Sequence, residues 1–213
     1  MYAAMSPTNI NLAYLGGGSE IGYPVVYKTT NGGVTWQSVF LASNNQNANS
    51  GWAGYQGDRD WWYGEYVLGF TVCASDPDRV AFSDLGFVHA TTNGGATWQP
   101  LYVYSGDQNA MDSSTPTRKS YHGVGLEDTS CWWLHWINTQ YLWAGFTDIQ
   151  GCRSTNYGVT WSFDYSGHTW NSSYEVVRNF SNETLDLSGS SVHDLYAWDT
   201  YCRDARLDAG TGA

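Results

Sequence analysis

Lysine is nearly missing from this chain: Lys28 and Lys119 are its only two, and nine Lys and Arg face 20 Asp and Glu for a net charge of −11. An acidic chain without a basic cluster repels a phosphate backbone, so nucleic acid is excluded as a partner. No apolar run approaches the roughly 20 residues of a membrane helix, so no membrane association is expected. The opening "MYAAMSPTNINLAYLGGG" has neither a basic region nor a long apolar one, so no signal peptide is visible, which means little for a piece of a longer chain. Charged residues are scarce, at 14%, yet the aromatic, Gly-rich composition is wrong for disorder. The four cysteines, Cys73, Cys131, Cys152 and Cys202, show no CxxC spacing and no histidine at zinc-finger distance. Buried free thiols are expected and no metal site; one disulfide is compatible with an exported chain. There is no Gly-rich phosphate loop and no Ser-His-Asp signature, so no cofactor is expected.

What the chain has instead is aromatic surface and turns: 12 Trp, 16 Tyr and 24 Gly. Tryptophan and tyrosine among uncharged polar residues suit a neutral, hydroxyl-rich ligand such as a glycan. They equally suit a β-protein core under an acidic surface.

One stretch recurs. "TTNGGVTW" (29–36) returns as "TTNGGATW" (91–98) and "STNYGVTW" (154–161), placing Asn31, Asn93 and Asn156 at spacings of 62 and 63 residues. A fixed period of this kind marks a repeat architecture. Short runs flank each copy, "VVYK", "FVHA" and "GCRS" before and "WQSVF", "WQPLYV" and "WSFDYS" after, which is strand–turn–strand patterning. Two further strands precede each hairpin, for instance "LGFTVCA" and "RVAFSD". Four strands per repeat describe a propeller blade. In the turn, the Asn accepts bonds from backbone N–H groups two residues on. Gly33, Gly95 and Gly158 take φ > 0, and the Thr bonds back across the bend. Trp36, Trp98 and Trp161 are expected to pack between blades. Every role serves folding.

The stretch resembles the Asp-box, Ser/Thr-x-Asp-x-Gly-x-Thr-Trp, of sialidase, glycoside hydrolase family 74 and sortilin-type propellers, with Asn at the Asp position in all three copies. The resemblance implies a structural box on the face away from any active site. The fold expected is an all-β propeller arc of about three and a half four-stranded blades. They cover 1–40, 66–104 and 130–166, with an incomplete blade over 184–213, all within one partial propeller. A closed propeller typically needs at least four blades, and an open arc leaves bare strand edges. The chain is therefore read as a fragment, or as one that self-associates to close the ring.

The connections between blades, 41–66, 104–130 and 168–184, are long, and loops of that length are usually functional or disordered. The turns between second and third strands repeat an acid: Asp84, Asp148 and Asp199. "SDLGFVH" (83–89) and "TDIQGCR" (147–153) resemble the Asp-Ile/Val-Gly-Gly segments bearing the catalytic carboxylates of family 74, although Gly86 alone and Gln150–Gly151 replace the Gly pair. The resemblance implies Asp84 and Asp148 as acid and base of an inverting hydrolase, whose carboxyl groups stand roughly 6.5–9.5 Å apart. In that family, however, the two acids come from two facing propellers. A turn-forming role for both carboxylates stands beside this reading. In the loops, Trp52, Tyr55, Trp61, Trp62, Tyr121 and His122 are candidate sugar platforms, and Asp58 and Asp60 hydroxyl acceptors. Tyr63, Glu65, Glu127 and Asp128 accompany them, and oxygen-rich calcium binding is the competing use of such acids. Trp132, Trp133 and Trp136 are expected in the core, and His122 and His135 in loop or core. A sialidase is disfavoured: its Phe/Tyr-Arg-Ile-Pro segment is missing and the seven arginines are scattered. Asn171, Asn179 and Asn182 begin N-x-Ser/Thr sequons, which matter only in a eukaryotic secreted protein. The expectation is an extracytoplasmic, carbohydrate-active propeller that hydrolyses or binds a neutral, plant-type or other polysaccharide. The alternatives are a non-catalytic glycan- or protein-binding propeller and, third, a purely structural fragment.

Overall fold

The computed structural model describes residues 1–60, 64, 66–125, 129–181, 184–190 and 207–211. Trp61, Trp62, Tyr63, Glu65, Glu127, Asp128, Asn182, Asp199, Cys202 and the side chain of Asp60 lie outside the described part. The chain is all-β, and its sheets are antiparallel meanders of propeller-blade type, consistent with a partial β-propeller. It divides into two compact units, Met1–Thr117 with Gly123–Asp128, and Arg118–His122 with Thr129–Ala213. Among the described residues no helix is long and apolar enough to cross a membrane.

In the first unit, β1 (Tyr2–Met5), β2 (Ala13–Gly18), β3 (Pro24–Thr29) and β4 (Gln37–Ser38) form one four-stranded sheet. The strands β5 (Gly69–Val72), β6 (Val80–Ser83), β7 (Val88–Thr91) and β8 (Gln99–Pro100) form a second in the same order. Burial alternates with period two along β2, β6 and β7, as expected of pleated strands. The buried faces meet in one core. Leu12, Tyr14, Val26 and Phe40 come from the first repeat and Val80, Phe82 and Trp98 from the second, with Val67 just ahead of β5. Phe40 stands edge-on to Phe82 at 4.9 Å and to Trp98 at 5.5 Å. Complete burial of rings such as Phe82 contributes about 2–3 kcal/mol each. Gly16 permits the approach, since a Cβ there would stand 2.7 Å from the Phe70 ring.

The repeated turn folds alike three times. Thr29 Oγ1 donates to Asn31 Oδ1 and accepts the N–H groups of Asn31 and Gly33. Asn31 Oδ1 also accepts from Thr35 N, and Nδ2 donates to Thr35 Oγ1. Thr91, Asn93, Gly95 and Thr97 repeat these bonds, as do Ser154, Asn156, Gly158 and Thr160. The division of labour differs from the expected one. The hydroxyl of Thr or Ser takes the near N–H groups, and the Asn reaches four residues on. Gly95 sits at φ 88 with its Cα against Val39, where a Cβ would come within 2.7 Å.

The tryptophans part company. Trp98 is fully buried and donates Nε1 to the Val39 carbonyl at 2.7 Å, as a ring wedged between sheets should. Trp36 is 39% exposed. Trp161 is half-buried and bonds the Gly158 carbonyl of its own turn. Identical turn chemistry fixes the hairpin, but ring burial needs a neighbouring sheet, which the second hairpin has in the first sheet and its Val39 carbonyl.

Within the first unit, residues 45–55 and 109–115 of the two long connections are tied to each other. Asn45 Nδ2 donates to the Ser113 carbonyl and to Thr115 Oγ1, while Asn45 Oδ1 accepts from Tyr55 N. Thr115 Oγ1 donates to Ser50 Oγ, and Asn109 Nδ2 reaches Ser50 and the Gly51 carbonyl. Asn45, Ser50, Asn109 and Thr115 are all buried. A satisfied polar network of this kind rigidifies what it joins. Asn45→Ala removes three hydrogen bonds, to the Ser113 carbonyl, Thr115 Oγ1 and Tyr55 N, at a left-handed backbone position, φ 56. It is expected to cost about 2–3 kcal/mol, read as a lower urea midpoint.

In the second unit, β9 (Cys131–Trp136), β10 (Leu142–Phe146) and β11 (Gly151–Ser154) form a three-stranded sheet, not the expected four. The segment meant as its outer strand splits its bonding: Ser162 exchanges both backbone bonds with Arg153, while Trp161 exchanges both with Tyr121. A second departure is β12 (Ser172–Asn179), which lies inside the stretch expected to be a connection and pairs with β13 (Thr184–Ser190), itself paired with β14 (Leu207–Thr211). Its flanking asparagines and serines mask the strand signal, which is carried by Val176, 1% exposed, and Val177. Of the three described cysteines, Cys152 is buried, Cys73 half-buried and Cys131 exposed.

Candidate functional site

The two acids singled out in the sequence have opposite surroundings. Asp84, in the first unit, is completely buried. Its Oδ1 accepts the N–H groups of Gly86 and Phe87, and its Oδ2 that of Gly64. His89 Nε2 lies 3.5 Å from Oδ2, inside a cage of Phe40, Phe82, Phe87 and Tyr102 rings. An aspartate bonding its own turn in this way closes the β6–β7 connection.

Asp148, in the second unit, is exposed at the β10–β11 turn. Its backbone is left-handed, φ 62, and so is that of Gln150, φ 64. Neither is glycine, and two such residues in one turn mark stored strain. The carboxylate is held by Asn171, whose Nδ2 donates to Oδ1 at 2.6 Å, while Asp148 N donates to Ser172 Oγ. Tyr165 donates its hydroxyl to Gln150 Oε1. The turn thus gathers a carboxylate, two amides and hydroxyls at one end of the sheet.

Edge strand β9 runs beside it. Trp133 pairs with Gly145 and Cys131 with Phe146, across a bulge. Trp132 donates its Nε1 to Thr147 Oγ1. The expectation of a core strand is corrected here: β9 is the last strand of its sheet, and Trp133, 40% exposed, and Trp136, 55% exposed, point to opposite faces of it, neither of which is fully covered. Partial desolvation of the sulfur, partly offset by a bond to the Trp133 carbonyl, pushes the Cys131 thiol up, although the residue as a whole is exposed. Burial, reinforced by the Arg178 charge, pushes His135 below the ordinary imidazole value. Both are therefore neutral at pH 7, and β9 presents tryptophan surface without charge. An exposed edge strand in a Trp-rich run is the signal that sequence reading passed over.

The predicted sugar platforms fare unevenly. Trp52 is buried edge-on to Phe87 and Tyr102, at 5.0 and 5.4 Å, so its ring faces protein. Tyr121 is buried too, with Lys119 Nζ 4.9 Å from its ring centre, and so is Asp58. Tyr55 is half-buried and His122 exposed. Trp52, Tyr55 and Asp58 belong to the first unit, Tyr121 and His122 to the second. Among the described residues no three His, Cys, Asp or Glu side chains gather as a metal site.

No family model matches the chain, and no curated protein matches it. Solved structures do. An ancestral GH74 enzyme is similar at 18% identity and a TM-score of 0.32, over 88% of this chain and 21% of that one. The GH74 xyloglucanase from Xanthomonas campestris is similar at 14% identity and a TM-score of 0.32, over 89% of this chain and 26% of that one. YCF48 from Cyanidioschyzon merolae is similar at 11% identity and a TM-score of 0.26, over 98% of this chain and 67% of that one. The chain spans about a fifth to a quarter of the two GH74 structures.

Proposed function

We propose that this chain is a carbohydrate-active propeller segment that engages a neutral polysaccharide outside the cytoplasm, at the β10–β11 turn and along β9. The observation that carries the reading is Asp148: an exposed carboxylate on a strained turn, held by Asn171, at the end of the sheet where the uncharged strand β9 bears the part-exposed Trp133. Tryptophan faces take the C–H surface of a sugar ring, and a carboxylate with flanking amides takes its hydroxyls. The Asp-box-like turns supply the scaffold.

A hydrolytic version of this reading assigns Asp148 as acid or base. The strain at that residue favours it. Asp84 then serves the fold, and the second carboxylate that an inverting reaction requires comes from elsewhere.

Affinity electrophoresis and calorimetry against xyloglucan and mixed β-glucans test the binding. Trp133→Ala is expected to weaken it about tenfold, equal to ~1.4 kcal/mol, with unchanged circular dichroism. No retention of wild-type protein by any neutral glucan refutes the reading. A reducing-end assay separates turnover from binding, since Asp148→Asn abolishes the first while the Trp133 platform still retains the glucan, more weakly.

A further inference from the structure

The first hairpin exposes a face that its repeat buries. Strand registers place Ala3, Met5, Ala13, Leu15 and Trp36 where the second sheet has Phe70, Val72, Val80, Phe82 and Trp98. In the second sheet those side chains form or flank the core against the first. In the first sheet they line an open groove of about 330 Å³. Smaller residues hollow its floor, Ala3 for Phe70 and Ala13 for Val80. Larger ones stand up at its rim, Met5 at 61% and Ile10 at 78% exposure, with Trp36 at 39%. No lining residue carries a charge, in a chain whose net charge is −11.

We infer that this groove is the contact surface for a second copy of the same chain, related by a two-fold axis. A hollow beside protruding apolar side chains is self-complementary, which an isologous contact requires. An uncharged face is also where two strongly acidic molecules can meet without like-charge repulsion. The face is already a sheet-packing surface, since its counterpart on the second sheet seats Trp98 with its Nε1 on the Val39 carbonyl. The contact buries Trp36 and covers the open side of the first sheet.

Sedimentation velocity of the full chain over a wide concentration range tests this. A reversible dimer is expected, weakened about tenfold or more by Met5→Glu. Ile10→Lys lies in the β1–β2 turn, outside the strands, and is expected to weaken it as far without altering the circular dichroism. A photo-reactive benzoylphenylalanine at position 10 is expected to cross-link to residues 1–36 of another copy. A monomer at every concentration overturns the inference. So does a dimer that both substitutions leave intact, or a cross-link to a different region, which assigns the groove to another occupant.

Discussion

Trp98→Ala is expected to cost about 3–5 kcal/mol, the most of any hairpin substitution. The ring is fully buried and stands between Phe40 and Phe82, at 5.5 and 5.2 Å. Truncation removes that contact and opens a cavity that two sheets cannot close without sliding. It also leaves the Val39 carbonyl without the indole donor. Total stability of a domain is commonly 5–15 kcal/mol, so the variant sits near the edge of folding. Trp98→Phe separates the terms: it retains most of the ring and forfeits the hydrogen bond, about 1 kcal/mol. Trp36→Ala, at the same place in an identical turn, costs less than half as much in dilute protein because its ring is part-solvated. Urea unfolding with a fixed m-value measures all three. Equal losses at Trp36 and Trp98 contradict the account of the second hairpin as the wedge between sheets.

Asp84→Ala is the second large effect, at about 3–5 kcal/mol. It orphans three backbone N–H groups, those of Gly64, Gly86 and Phe87, in a site closed to water. Asp84→Asn retains the acceptor for Gly86 and Phe87 but can turn an amide N–H toward Gly64, so about half the loss is expected. Asp148→Asn provides the contrast. The residue is exposed, asparagine tolerates its left-handed backbone, and the Asn171 bond to Oδ1 survives, so stability changes by less than about 0.5 kcal/mol. Chemical denaturation of the three variants checks the ordering. A stable Asp84→Ala protein contradicts the structural role of that carboxylate.

The repeated bends were legible because turn chemistry is local. Hydroxyl, amide and glycine within eight residues suffice to specify them, and the two sheets of the first unit follow from their spacing. What sequence could not separate was Asp84 from Asp148. Both stand in the same turn of successive repeats, and only the surroundings differ: Gly64 and His89 close over one, while Asn171, just ahead of β12, reaches the other. Gly64 and Asn171 lie 20 and 23 residues from the acids they bond, beyond any local pattern. The tryptophans failed for a related reason. Hydrophobicity ranks Trp52 and Trp133 alike, yet one sits under a loop and the other on a sheet edge. The strand β12 was hidden by asparagines that signal turns by composition, although its bonding is set by pairing with β13.

The network joining Asn45 and Asn109 to Ser50 and Thr115 means that the two excursions beyond the blades are one object encoded in two places. Neither can be shortened, swapped or evolved alone, because each holds the other's buried amide and hydroxyl groups. Change in these segments must therefore arrive as matched substitutions some 60 to 70 residues apart, whereas the exposed Asp148 turn answers to partners only 23 or 24 residues away.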